Sequence, residues 1–175
     1  MFKDRVLAGR VAGLAISVCM EVRELHESFN NGTCVEYDRA MSAVITDIVS
    51  SILVPIYNVH GGLHGICDVT RLASLRIESS EKCKTQGRTS RGSRNSEITI
   101  KARAHQHSQL MWKIKRDLKR SLMTTGHAFN DDEYKNYRDA VLQILSSIYV
   151  NVLAPLGERY PDIISTREQY MSISP

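Results

Sequence analysis

With 175 residues, 42% of them apolar and 24% charged, the chain is long enough to bury its own core and too apolar for wholesale disorder. The formal charge of +4 is unevenly placed: residues 79–104 hold Lys82, Lys84, Arg88, Arg91, Arg94, Lys101 and Arg103 against Glu81 and Glu97, a balance of +5, which leaves −1 elsewhere. Four cysteines (Cys19, Cys34, Cys67, Cys83) are too sparse to brace a disulfide scaffold, and reduced thiols in a cytoplasmic setting are expected.

The first element is a helix over residues 10–29. Val11, Leu14, Val18, Val22, Leu25 and Phe29 recur at three- and four-residue intervals, while Glu21, Glu24 and Glu27 fall off that stripe. Gly9 and Gly13, with Ala8 and Ala12, form a small-residue strip that reads as either a close helix approach or a frayed first turn. The apolar run 11–20, after Lys3, Arg5 and Arg10, faintly imitates a signal peptide, but its spacing continues to Phe29 as a helix would. No stretch of the sequence approaches transmembrane length, and no membrane partner is expected.

Asn30, Asn31, Gly32 and Thr33 make a turn. A second helix is predicted over 35–54, with Tyr37, Met41, Val44, Ile48 and Ile52 on one face. Pro55 should stop or kink it. Residues 58–100 then form a connection. Its first part is rich in glycine and histidine, and 79–96 lacks large apolar side chains and reads as flexible. The alternation in Ile98, Thr99 and Ile100 suggests a strand that would pair with 75–78 as a small β-hairpin.

A third helix, 103–123, sets Met111, Ile114, Leu118 and Leu122 on one face and Lys113, Lys115, Arg116, Lys119 and Arg120 on the others. His105 and His107 alternate there and read as surface residues. A fourth helix, 132–154, opens on Asp131, Asp132 and Glu133, which suit the positive end of a helix, and closes at Pro155. Shifting the chain by one hundred residues aligns Phe29, Asn30, Tyr37, Ala40, Ile48, Leu53 and Pro55 with Phe129, Asn130, Tyr137, Ala140, Ile148, Leu153 and Pro155, without a gap. Internal duplication and coincidence between two amphipathic hairpins both account for this. Either way the expected class is all-α. The simplest packing is a four-helix bundle of two hairpins, 1–57 and 101–157, forming one domain with the basic connection 58–100 between them and a polar tail over 158–175.

Three constellations bear on chemistry. The basic connection and the third helix nominate Lys82, Lys84, Arg88, Arg91, Arg94, Lys101, Arg103, Lys113, Lys115, Arg116, Lys119 and Arg120 as a nucleic-acid-binding set. Cations on a mobile segment can follow phosphates, but no aromatic residue interleaves with them for base stacking. His60, His64 and Cys67, with Cys83, offer zinc-ligand chemistry at a spacing that matches no common finger; a plain loop is the alternative. Arg120 and His127 have the loose spacing of a helical-bundle ribonuclease site, a coincidence that fifteen arginines and six histidines readily produce. Asp47 within an apolar helix is expected on an exposed polar seam, because its shifted counterpart is Ser147.

The expected function is therefore a non-enzymatic, homo-oligomeric binding or assembly module without a cofactor or metal, contacting nucleic acid non-specifically. A protein–protein adaptor with the basic loop as linker is the alternative, and a ribonuclease the third reading. Self-association is expected because the apolar helix ends at 49–57 and 148–156 look too large for one small bundle to cover.

Overall fold

The computed structural model of the chain describes residues 3–28, 35–61, 93–125, 130–162 and 167–173. Among these residues the protein is all-α. The first helix, α1 (Arg5–Ser28), starts ahead of its expected position because the Asp4 carboxylate accepts the Leu7 amide at 2.8 Å, capping the helix. Its buried face carries Val11, Val18 and Val22 of the predicted stripe and widens to Leu7, Ala8, Ala12, Ala15, Ile16 and Cys19. The close approach comes from these alanines. A methyl placed on Gly9 or Gly13 would meet nothing within 4 Å, so the glycines are not what lets the neighbours in.

The second helical run does not stop at its proline. It comprises α2 (Val35–Ile48), a π-helical segment (Val49–Leu53) and α3 (Val54–His60). The Val54 amide bonds back to the Val49 carbonyl, five residues earlier. Pro55 therefore lies in the first turn of the restarted α-helix, where its missing N–H is least costly. The fourth run repeats the device one hundred residues later. There α5 (Asp131–Ile148) passes through a π segment (Tyr149–Leu153) into α6 (Ala154–Arg159), and the Ala154 amide bonds to the Tyr149 carbonyl ahead of Pro155.

This continuity corrects the expectation that no stretch reaches membrane-spanning length. The runs Arg39–His60 and Asp131–Arg159 are long and apolar enough to cross a bilayer, with mean hydropathy 1.7 and 1.6 over their most apolar windows. In this fold Ile48, Ile52, Leu53, Ile148, Val152 and Leu153 of these runs are buried in the core, where the runs contact each other and α1, while Val54, Val59 and Val150 are exposed.

Between these runs, α4 (Ser93–Thr125) is a single helix of 33 residues, about 50 Å long. It absorbs Ile98, Thr99 and Ile100, which were expected as a strand; their proposed partner, 75–78, lies outside the described residues. Its inner stripe is longer than the sequence suggested: Ala104, His107 and Ser108 continue the line of Met111, Ile114, Leu118 and Leu122. His107 is consequently buried, its Nδ1 2.7 Å from the Arg103 carbonyl oxygen, and is not the surface residue expected.

At the head of α5, Asn130 accepts the Glu133 amide at 2.9 Å while the Glu133 carboxylate accepts the Asn130 amide at 3.3 Å, a reciprocal capping box. One contiguous core unites all four long runs. The segment expected as a polar tail takes part in it. Tyr170, on α7 (Arg167–Met171), is fully buried and donates its hydroxyl to the Met111 carbonyl at 3.2 Å.

Candidate functional site

The cations nominated from the sequence separate into distinct environments. Lys82, Lys84, Arg88 and Arg91 lie outside the described residues; Arg94 belongs to the first turn of α4, and its side chain is not described. Lys101 is exposed and pairs with Asp162 at 3.1 Å, an interaction that holds the Asp162 carboxyl below its usual range. Arg103 is half-buried. Lys113 pairs with Glu21 of α1 at 2.8 Å and lies 3.8 Å from Asp117. The hydrogen bond and charge of Glu21, with a smaller share from Asp117, hold its ammonium more firmly protonated than usual.

Lys115 departs most from expectation. It is buried, its ammonium donates to the Gln169 carbonyl, and it sits 4.7 Å from the centre of the Trp112 ring and 5.7 Å from that of Tyr170. Desolvation, and secondarily the nearby Lys119, lower its pKa. Lys115 falls one turn from Met111 and Leu118 on the inner stripe, so helical geometry turns it toward the core despite its charge. It fastens α7 to α4 and is withdrawn from any ligand.

What remains on the outer face of α4 is narrower. Arg116 and Arg120, one turn apart, are exposed and have no ionic partner among the described residues; Lys119 beside them is half-buried. The one carboxylate of α4 in this region, Asp117, is drawn toward Lys113. This face can offer guanidinium groups to phosphate or carboxylate oxygens without surrendering any packing contact.

Two clefts lie where α2 and α5 cross. The helices run antiparallel through Asp47, whose carboxylate accepts the Ser147 hydroxyl at 3.0 Å and the Asn151 amide at 2.8 Å. Asp47 is exposed, as the hundred-residue shift suggested. On one side of the crossing Ser50, Ser51, Gln143 and Ser146 line a shallow hydroxyl-rich groove. On the other side a cleft of about 370 Å³ is lined by Ala40, Ala43, Val152, Pro155 and Leu156 together with Arg39, Asn151 and Arg159, the last of which stacks over the Tyr160 ring at 5.6 Å. Sequence reasoning missed these two arginines, because they are 120 positions apart and converge only through the antiparallel crossing.

Cys19 is a free buried thiol, as expected, and burial pushes its pKa up to about 12. Of the zinc candidates only His60 is described, and of the ribonuclease pair only Arg120; His64, Cys67, Cys83 and His127 lie outside the described residues. Among the described residues no three metal-binding side chains gather. Compared with known proteins, the chain matches no family model, no curated protein and no solved structure.

Proposed function

We propose that this chain is a non-enzymatic helical binding and assembly module of the cytoplasm, holding nucleic acid non-specifically along the outer face of α4 and the basic segment before it. The observation that carries this reading is the pair Arg116 and Arg120, exposed and without an ionic partner among the described residues, on a helix whose opposite stripe does the packing. Phosphate contact of this kind releases counterions and carries no sequence preference. Lys101 and Lys113 would contribute only by exchanging Asp162 and Glu21 for phosphate, and Lys115 contributes nothing.

The fold behind this module is, in our reading, a four-helix bundle made by duplicating one hairpin. Its support is the recurrence of a π segment and a following proline at the same hundred-residue spacing, and the meeting of Asp47 with its counterpart Ser147. Self-association is part of the proposal but rests on less than the sequence suggested. Ile52, Leu53, Ile56, Val152, Leu153 and Leu156 are covered within the chain, leaving Val54, Val59 and Val150 exposed. A dimer through so small a patch should be weak.

The test is a titration of random-sequence RNA and DNA across a range of salt concentrations. The expected result is affinity that falls steeply with salt. For Arg116→Ala with Arg120→Ala, the salt slope should drop by nearly one per lost phosphate contact and the thermal midpoint should be unchanged. Neutralising Arg88, Arg91 and Arg94 should act in the same direction. Absence of binding at physiological salt would hand the function to the protein–protein adaptor reading. Tight binding that survives both sets of substitutions would place the site elsewhere.

A further inference from the structure

We infer that Trp112, Tyr149 and Lys115 form a slot for an unpaired nucleobase, which Tyr170 of α7 fills while no ligand is bound. The inference rests on the nucleic-acid reading above and narrows its ligand to a single strand. Tyr170 lies edge-on to Trp112 with centroids 5.5 Å apart, and its ring is tilted 32° from that of Tyr149 at 6.2 Å. The Lys115 ammonium stands 5.7 Å from the Tyr170 ring centre. Aromatic walls and a cation are the parts with which proteins hold the bases of a single strand, since every base has a π face and carries a phosphate beside it. The Met111 carbonyl, which accepts the Tyr170 hydroxyl at 3.2 Å, can accept an N–H of a base in the same place.

Tyr170 is placed to leave. It is the one fully buried side chain of the five-residue α7, where Arg167, Glu168 and Gln169 are exposed and Met171 is half-buried. Its ring and the bond from Lys115 to the Gln169 carbonyl fasten α7 to α4. A base entering the slot regains the ring contacts that Tyr170 gives up, so the exchange costs less than opening an empty cavity. The slot is also in the right place. Trp112 precedes the exposed Arg116 by one turn of α4, which sets a base in the slot beside the guanidinium assigned to phosphate. Lys115 contributes nothing while α7 is docked; once Tyr170 moves out, its ammonium is released beside Arg116. The closed form thus carries a desolvated charge where an aliphatic side chain would pack at no such cost, and the open form puts that charge to use.

The experiment titrates the full chain with a short oligothymidylate and with a DNA duplex of the same length at one salt concentration. Anisotropy of the labelled nucleic acid gives affinity, and the emission of Trp112, the chain's single tryptophan, reports a base on its ring. The single strand should bind about tenfold tighter than the duplex and quench Trp112, while the duplex leaves the emission unchanged. Tyr170→Phe loosens α7 by one hydroxyl bond without emptying the slot, and should tighten single-strand binding by about fivefold. Trp112→Leu should weaken it by about tenfold and leave duplex binding as it was. Equal binding of the two ligands with Trp112 emission unmoved would overturn the slot and leave the α4 face standing. Binding of neither ligand, by the unaltered chain and by Tyr170→Phe alike, would overturn both. Weaker single-strand binding by Tyr170→Phe would make Tyr170 a part of the site instead of its occupant, and also overturn the inference.

Discussion

Lys115 and Arg116 are adjacent cations with opposite fates: one is buried against Trp112 and Tyr170, the other faces solvent. A hundred-degree step between neighbours on a helix is enough to separate them, and the apolar stripe of α4 decides which is which. The same geometry explains Gly9 and Gly13. Both sit beside the alanines that α1 buries, yet their own α-carbons point at open space. With helical backbone and no close neighbour, neither glycine is required by its conformation. Replacing each with alanine should therefore stabilise the fold by about 0.5–1 kcal/mol, chiefly by restricting the unfolded chain. Urea denaturation of Gly9→Ala, Gly13→Ala and the pair measures this; a loss of stability in either single variant would mean that a partner approaches α1 there. At this scale the sequence was readable wherever a residue lay on the centre of a stripe, as Val11, Met111 and Leu118 do. It failed where a polar residue lay on the stripe: His107 is buried against the Arg103 carbonyl of its own helix, and Lys115 is buried against Tyr170 and the Gln169 carbonyl, far along the chain.

The helices themselves were legible in type and place, less so in extent. Their spacing located all four long runs, but Pro55 was expected to stop or kink its helix and the last run to close at Pro155. A π turn before each proline lets the helix pass on, and nothing in residue periodicity announces a wider turn. The start of α5 was readable, because its cap is a local matter of side chain and backbone, whereas α1 and α4 begin ahead of their expected positions. Asn130 shows this: it holds the Glu133 amide, and the acidic first turn of Asp131, Asp132 and Glu133 complements the helix dipole. Asn130→Ala should cost about 1 kcal/mol. Asn130→Asp should retain most of the stability, since its carboxylate accepts the same bond. Chemical denaturation of the two variants makes the comparison, and equal losses would show that the cap does not hold α5.

At the scale of the whole molecule, the crossing of α2 and α5 and the role of the last residues both depend on contacts that no local pattern encodes. The antiparallel crossing brings Arg39 to Arg159 and Asp47 to Ser147, which is why the cleft was invisible in the sequence while Asp47 itself was not. Residues 158–175 looked like a polar tail because their apolar side chains are few and irregular. The structure uses one of them, Tyr170, at full burial. Its ring lies edge-on to Trp112 with centroids 5.5 Å apart, its hydroxyl bonds the Met111 carbonyl, and the neighbouring Gln169 carbonyl receives Lys115. Deleting residues 161–175 would open a cavity the size of an aromatic side chain and leave the Lys115 ammonium and the Met111 carbonyl without these partners. The expected loss is about 3–5 kcal/mol, with Tyr170→Phe losing only about 1 kcal/mol for its hydroxyl bond. Trp112 is the chain's single tryptophan, so its fluorescence reads this site directly. Truncation should shift the emission to longer wavelength as water reaches the ring, and should lower the urea midpoint in step. A dispensable tail predicts neither change, and an unaltered emission spectrum with an unaltered midpoint would remove Tyr170 from the account of what holds the core closed.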